Sequence, residues 1–335
     1  GVTFIGNGAF SFCIDLQSIT VDKGNVRYES RDNALIEKAT KTLMTGTKTI
    51  PNGIEILGWA CFGGKLIENI TIPNSVKIIG TGAFEQCSRL KEIIIPESVE
   101  NIQYAAFSHC SSLTSIFIPK SVVIIGDELT GAFDFCHNVT SIVVDPANPV
   151  YDSRDNCNAI IETATNTLKS GFQCTRIPDG ITGIAPNAFY YCTTLKSITI
   201  TKDIVYIGIG AFMGCDELNS IVVVEENPVY DSRDNCNAII ETATNTLVFG
   251  NNASSIPSSV KTIGYCAFWG TDFPENYHII IPEGVEKICR SSFLGLDHAI
   301  FTLPSTIKEI ENNSFYVYNE GQIAEVYCYR KTPLN

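Results

Sequence analysis

Ile72-Pro73-Asn74-Ser75-Val76-Lys77-Ile78-Ile79-Gly80-Thr81-Gly82-Ala83-Phe84-Glu85-Gln86-Cys87-Ser88-Arg89-Leu90-Lys91-Glu92-Ile93-Ile94-Ile95-Pro96 is one complete repeat, closing on the Ile-Pro pair with which it opens. Its Phe returns at Phe10, Phe62, Phe107, Phe133, Phe189, Phe212, Phe268, Phe293 and Phe315, 22 or 23 residues apart where nothing is inserted. A fixed period in the range of roughly 20–50 residues marks a solenoid, in which each unit buries its apolar face only against its neighbours. Residues already used by such a repeat are poor candidates for an active site.

Each repeat carries a run with two-residue alternation: Ile70/Ile72, Ile93/Ile95, Ile116/Ile118, Ile142/Val144, Ile198/Ile200, Ile221/Val223 and Ile279/Ile281. Alternating β-branched residues predict a strand, and Pro is tolerated at its end because it donates no ladder hydrogen bond. The next apolar pair is spaced by three, as in Val76/Ile79 and Val99/Ile102, and a Gly such as Gly58, Gly80 or Gly264 follows, predicting a sharp turn. The Ala-Phe-x-x-Cys-x-x-Leu segment has the spacing of a single helical turn. Stacking these units predicts a curved right-handed solenoid with an inner parallel sheet and short helical turns outside.

Three insertions break the period, near residues 22–50, 146–177 and 225–256. Asn148–Leu168 and Asn227–Leu247 are identical, and Tyr28–Leu43 is a shorter, diverged copy. Turn clusters flank the strand-like Ala159-Ile160-Ile161-Glu162-Thr163, which predicts three inserted β-meanders. A smaller interruption falls at Asp127–Gly131, and Val326-Tyr327-Cys328-Tyr329 predicts a cap strand within 323–335. The whole of 1–335 is expected to form a single solenoid domain of about ten repeats.

The repeat, read as L-x-x-I-x-I-P-x-x-V-x-x-I-G-x-x-A-F-x-x-C, resembles the BspA-like class of leucine-rich repeat across almost the whole chain. Departures are local: Gln103 and Ala185 replace Gly, and Ser292 and Ser314 replace Ala. The resemblance implies a secreted or surface-exposed protein of bacteria or some protozoa that adheres to host or bacterial partners. The sequence starts inside a repeat at Val2-x-x-Ile5-Gly6, so an upstream half-repeat, and any secretion signal, are expected to lie outside it.

The formal charge of −13 argues against nucleic acid and anionic membranes, which Lys and Arg would have to neutralise. No apolar run approaches the ~18 residues of a membrane span. The thirteen cysteines cannot all pair internally. Cys13, Cys87, Cys110, Cys136, Cys192 and Cys215 each follow the repeat Phe by three, as expected of a ladder of free, buried thiols. No Cys-x-x-Cys occurs and the four His lack metal-ligand spacing, so no metal or cofactor is expected.

Asp152, Asp155, Asn156, Asn158 and Glu162, repeated as Asp231, Asp234, Asn235, Asn237 and Glu241, offer oxygen ligands to calcium. They do not form an EF-hand loop, and Asp and Asn in tight turns need no metal, so turn chemistry is the expected reading. His109 adjoins Cys110 and His137 adjoins Cys136, but sequence neighbours point in different directions and both Cys belong to the ladder. No enzyme is expected.

The residue between the two inward positions of each strand should point outward. That row contains Ile94, Phe117 and Val143 from consecutive repeats, then Val222, Ile280 and Tyr327, with Thr20, Thr71, Thr199 and Thr302 between them. Exposed apolar clusters often mark partner sites. The expectation is a monomeric binding module that holds a protein partner on this face. A spacer displaying another domain and a carbohydrate-binding module are the alternatives.

Overall fold

The computed structural model describes residues 1–126, 131–317 and 325–328. The interruption at Asp127–Gly131 therefore lies, except for Gly131, outside the described residues. Of the cap at 323–335 only Glu325–Cys328 is described, and it is a strand. The chain divides into two compact units, Gly1–Ala164 with Lys169–Thr175, and Thr165–Leu168 with Arg176–Asn335. Both are built of β-solenoid coils.

The alternating runs form the first parallel ladder. In the first unit Ser115–Ile118 pairs with Ser141–Val144, setting Ile116 opposite Ile142 and Phe117 opposite Val143, while Thr71 bridges Ile94. In the second unit Ser197–Ile200 pairs with Ser220–Val223, and His278–Ile280 with Ile300–Leu303 and then Glu325–Cys328. Ile93, Ile95, Ile116, Ile118, Ile142 and Val144 are buried, so the expected register holds.

A second parallel ladder accompanies it, which the three-residue apolar spacing did not reveal. Ile56–Leu57, Ile78–Ile79, Asn101–Ile102 and Ile124–Ile125 stack in register in the first unit. Thr246–Phe249, Thr262–Ile263, Lys287–Ile288 and Glu309–Ile310 do so in the second. At Gly58 and Gly80 the Gly that ends this short strand serves close approach, whereas Gly126 has the positive φ of a turn (67°). A Cβ on Gly80 would lie 2.3 Å from the Leu57 carbonyl oxygen, and one on Gly58 2.7 Å from that of Leu43.

The segment expected as a helical turn is a run of tight turns shared with the next coil. Ala83, Glu85 and Cys87 donate their N–H to the carbonyls of Gly80, Gly82 and Phe84, three residues back. Gly82, Phe84 and Gln86 donate instead to Tyr104, Ala106 and Ser108 of the following coil. That division needs left-handed backbone two residues either side of the Phe, at Gly82 (φ 59°) and Gln86 (φ 57°), then Ala105 (52°) and His109 (58°). No helix could propagate through such an alternation.

The meanders join the second ladder. In the first, Tyr28–Arg31, Ala34–Glu37 and Thr42–Thr45 pair antiparallel, and Thr42–Leu43 continues in parallel onto Ile56–Leu57. In the third, Tyr230–Asp231, Ile239–Glu241 and Thr246–Phe249 do the same onto Thr262–Ile263. Each meander also caps the coil before it with a tyrosine hydroxyl. The N–H groups of Ile5, Ile125 and Ile207 donate to the hydroxyls of Tyr28, Tyr151 and Tyr230 at 2.8, 3.2 and 3.0 Å.

Inside each unit the repeat Phe rings form a column. Phe62, Phe84, Phe107 and Phe133 are stacked at centroid separations of 5.2–5.3 Å and within 9° of parallel. Phe189 and Phe212, and then Phe268, Phe293 and Phe315, stack likewise in the second unit. Burying each ring contributes about 1.5–3 kcal/mol, with about 0.5–1.5 kcal/mol more from ring contact.

Candidate interaction surface

The outward row lies where the alternation predicts. Ile94 is 80% exposed, Phe117 46% and Val143 45%, although each is flanked by buried residues on its own strand. Backbone pairing sets Phe117 beside Val143. Ile94 and Phe117 line one open groove of 700 Å³ with Thr71, Asn74, Glu97 and Ser98. A ring held by a strand backbone has lost little further freedom to order, so burying it under a partner retains most of its hydrophobic gain. In the second unit Val222 is opposite Thr199, and Thr302 separates Ile280 from Tyr327. All three apolar side chains are exposed, and the Tyr327 hydroxyl donates to Glu325 at 2.8 Å. Ile94, Phe117 and Val143 thus form one contiguous group in the first unit, whereas Val222, Ile280 and Tyr327 are three separate positions in the second.

Ion pairs run between coils along the surface, including Glu68–Lys91 at 2.9 Å, Lys41–Glu55 at 2.5 Å and Lys287–Glu311 at 2.6 Å. Exposed pairs of this kind contribute little. Lys41–Glu55 and Lys287–Glu311 flank the second ladder, and Glu97 is the charged residue lining the groove at Ile94 and Phe117.

The weighed chemical groups are occupied structurally. All thirteen cysteines are free. The thiols of Cys87, Cys110, Cys136 and Cys215 donate to the carbonyls of Phe62, Phe84, Phe107 and Phe189 at 3.2–3.3 Å. Burial pushes Cys87 and Cys136 up to about 12, which removes thiolate character. Of the six ladder cysteines, Cys13 is exposed and Cys192 half-buried. His109 stacks on Phe135 at 3.9 Å, away from the Cys110 thiol, and burial and then His137 hold it below the usual histidine range.

The acidic turn residues are also engaged. Asp152 takes the Arg154 guanidinium on both oxygens, and Asp231 takes Arg233 in the same way. Asp155, Asn156 and Asn158 have φ of 57°, 51° and 53°, the left-handed backbone that suits Asp and Asn. The Asn148 amide donates to the carbonyls of Pro119 and Val122, and Asn227 repeats this with Thr201 and Ile204. No group of three or more His, Cys, Asp or Glu among the described residues could hold a metal.

One surface feature escaped the sequence reading. Trp59, Tyr104 and Tyr265, each two residues past the end of a second-ladder strand, are exposed. In the second unit Tyr265 walls a cleft of 460 Å³ with Ile207, Ile209, Thr244, Thr246 and Val248. An aromatic residue two places after the last apolar residue of the Val-x-x-Ile spacing, where no core position requires one, was the available signal.

The profile of the BspA type leucine rich repeat region matches residues 55–162, 161–237 and 249–329, with six copies. The chain belongs to the BspA-type leucine-rich repeat family. No curated protein matches it. Among solved structures, this BspA-type chain is similar to a leucine-rich repeat protein from Eubacterium ventriosum, with 17% identity and a TM-score of 0.52 over 90% of this chain and 91% of that one. It is similar to the pneumococcal vaccine antigen PcpA, with 21% identity and a TM-score of 0.51 over 86% of this chain and 70% of that one. A leucine rich cell surface protein from Faecalibacterium prausnitzii matches at 24% identity and a TM-score of 0.45 over 78% of this chain. This chain spans 64% of the length of that protein. At these identities the likeness concerns the fold. Among the described residues no helix is long and apolar enough to cross a membrane.

Proposed function

We propose that this BspA-type chain is a non-enzymatic adhesion module of a cell-surface or secreted protein, which holds a protein partner on the outward face of its first ladder. The observation that carries the reading is the side-by-side exposure of Phe117 and Val143, with Ile94 in the same groove. An apolar cluster fixed on a rigid sheet is suited to anchoring a partner. Val222, Ile280 and Tyr327 are the corresponding contacts in the second unit. The family assignment supports an extracellular setting, and the occupied thiols and carboxylates favour binding over catalysis.

Beads coated with the protein should adhere to mucosal epithelial cells. Phe117→Ser should weaken that adherence at least tenfold, since a buried ring contributes about 1.5–3 kcal/mol. Unchanged adherence by a folded variant would remove the row from the binding surface. Absence of adherence by the unmodified protein would favour the spacer reading.

A further inference from the structure

We propose that the cleft between Ile209 and Tyr265 in the second unit is a binding site for a small uncharged ligand carrying a flat apolar ring. The site is separate from the outward row and does not depend on the adhesion reading. It originates in the insert. The second ladder stops at Tyr206–Ile207, where the Tyr230 hydroxyl, and not a further strand, takes the Ile207 N–H. Parallel pairing resumes with Thr246–Phe249 against Thr262–Ile263. The gap left behind is the cleft.

Its lining selects the ligand. The walls are Ile207, Ile209, Val248 and the Tyr265 ring. No carboxylate lines the cleft, and its single cation, Lys287, is held by Glu309 at 3.1 Å and Glu311 at 2.6 Å. A ligand of either charge would therefore lose hydration without gaining a partner. The hydroxyls are few and partly used: Thr244 bonds the Glu241 carboxylate and lies 2.7 Å from the Thr246 hydroxyl. A sugar would leave most of its hydroxyls unsatisfied there. The volume of 460 Å³ falls within the roughly 300–1,000 Å³ of small-molecule sites.

The first insert builds the same junction in the first unit. A Cβ on Gly58 would lie 2.7 Å from the Leu43 oxygen and 3.1 Å from Thr42 Cγ2; on Gly264 the distances are 2.7 Å to Leu247 oxygen and 3.3 Å to Thr246 Cγ2. Trp59 and Tyr265 follow these glycines and are both exposed. The first and third insert–coil junctions thus share a Gly step followed by an exposed aromatic residue, whereas the second carries Ala185-Pro186 at the same place.

Saturation-transfer NMR on the full chain with indole tests the proposal, beside indole-3-acetate, tryptamine and methyl β-glucoside. Indole should bind saturably and the charged and sugar probes at least tenfold more weakly. Ile209→Lys and Tyr265→Ala, both at exposed positions, should each weaken indole at least tenfold, while Phe117→Ser leaves it unchanged. No indole binding at millimolar concentration, binding that survives both cleft variants, or preference for the glucoside would overturn it.

Discussion

Replacing Gly80 with Ala tests the packing of the second ladder. The new Cβ would sit 2.3 Å from the Leu57 carbonyl oxygen, where ordinary contact begins at 3.4 Å. The step between coils must therefore open by about an ångström, as in an overpacked core, which costs about 1–3 kcal/mol. The same oxygen accepts the Gly80 N–H at 2.8 Å, and weakening that bond adds about 0.5–1.5 kcal/mol. The expected loss is about 2–4 kcal/mol. Gly53, in the same unit, is the control: its φ is 82°, but nothing lies within 4 Å of a Cβ placed there. Ala at 53 should cost only the left-handed strain of about 1–2 kcal/mol. Urea unfolding followed by circular dichroism separates the two, with midpoints differing by ~1 M at ordinary slopes. A Gly80→Ala variant as stable as Gly53→Ala would refute the close-approach argument.

Tyr230→Phe leaves the Ile207 N–H without its acceptor, so urea unfolding should show a loss of about 1–3 kcal/mol. Thiol titration of the folded protein near pH 8 should be fast at the exposed Cys13, Cys174 and Cys328 and slow at Cys87, Cys110, Cys136 and Cys215. Because burial raises Cys87 and Cys136 to about 12, their contribution to stability is complete below pH ~9 and fades as pH climbs toward 12. Thermal midpoints should fall across that window. Burial, then Asp272 and Glu217, raise Asp216 to about 6, so its protonated form is the one the fold prefers. That preference favours folding below the ordinary aspartate range and is lost as pH rises through 6. Asp216→Asn should accordingly raise the midpoint at pH 7.5 and leave it unchanged at pH 4.

The period exposed the solenoid because every coil repeats the same burial demand: Phe84, Cys87, Leu90, Ile93 and Ile95 are all buried. The first ladder was legible for the same reason, since two-residue alternation has no other physical source. The second ladder was not, because strands of two residues such as Ile78–Ile79 are too short to show alternation. Left-handed backbone beside each Phe was masked by its occupants. Gly82, Gly210 and Gly214 hint at it, but Ala105, Gln86, His109 and Tyr191 adopt it too, held by hydrogen bonds to the next coil. The outward row followed from register, whereas the cleft at Tyr265 depends on where the Tyr230 cap stops the ladder. That requires knowing which atoms meet across 23 residues.

The binding surface rests on one claim, that Phe117 faces solvent while Ile116 faces the core. Comparing the unfolding free energies of Phe117→Ser and Ile116→Ser tests it without any partner. Ile116 is 2% exposed, so its truncation should cost at least the roughly 2–5 kcal/mol of emptying a core position. Phe117→Ser should stay within about 0.5 kcal/mol of the parent, as surface substitutions do. The reverse order would place the Phe117 ring in the core and leave the proposed surface without its anchor.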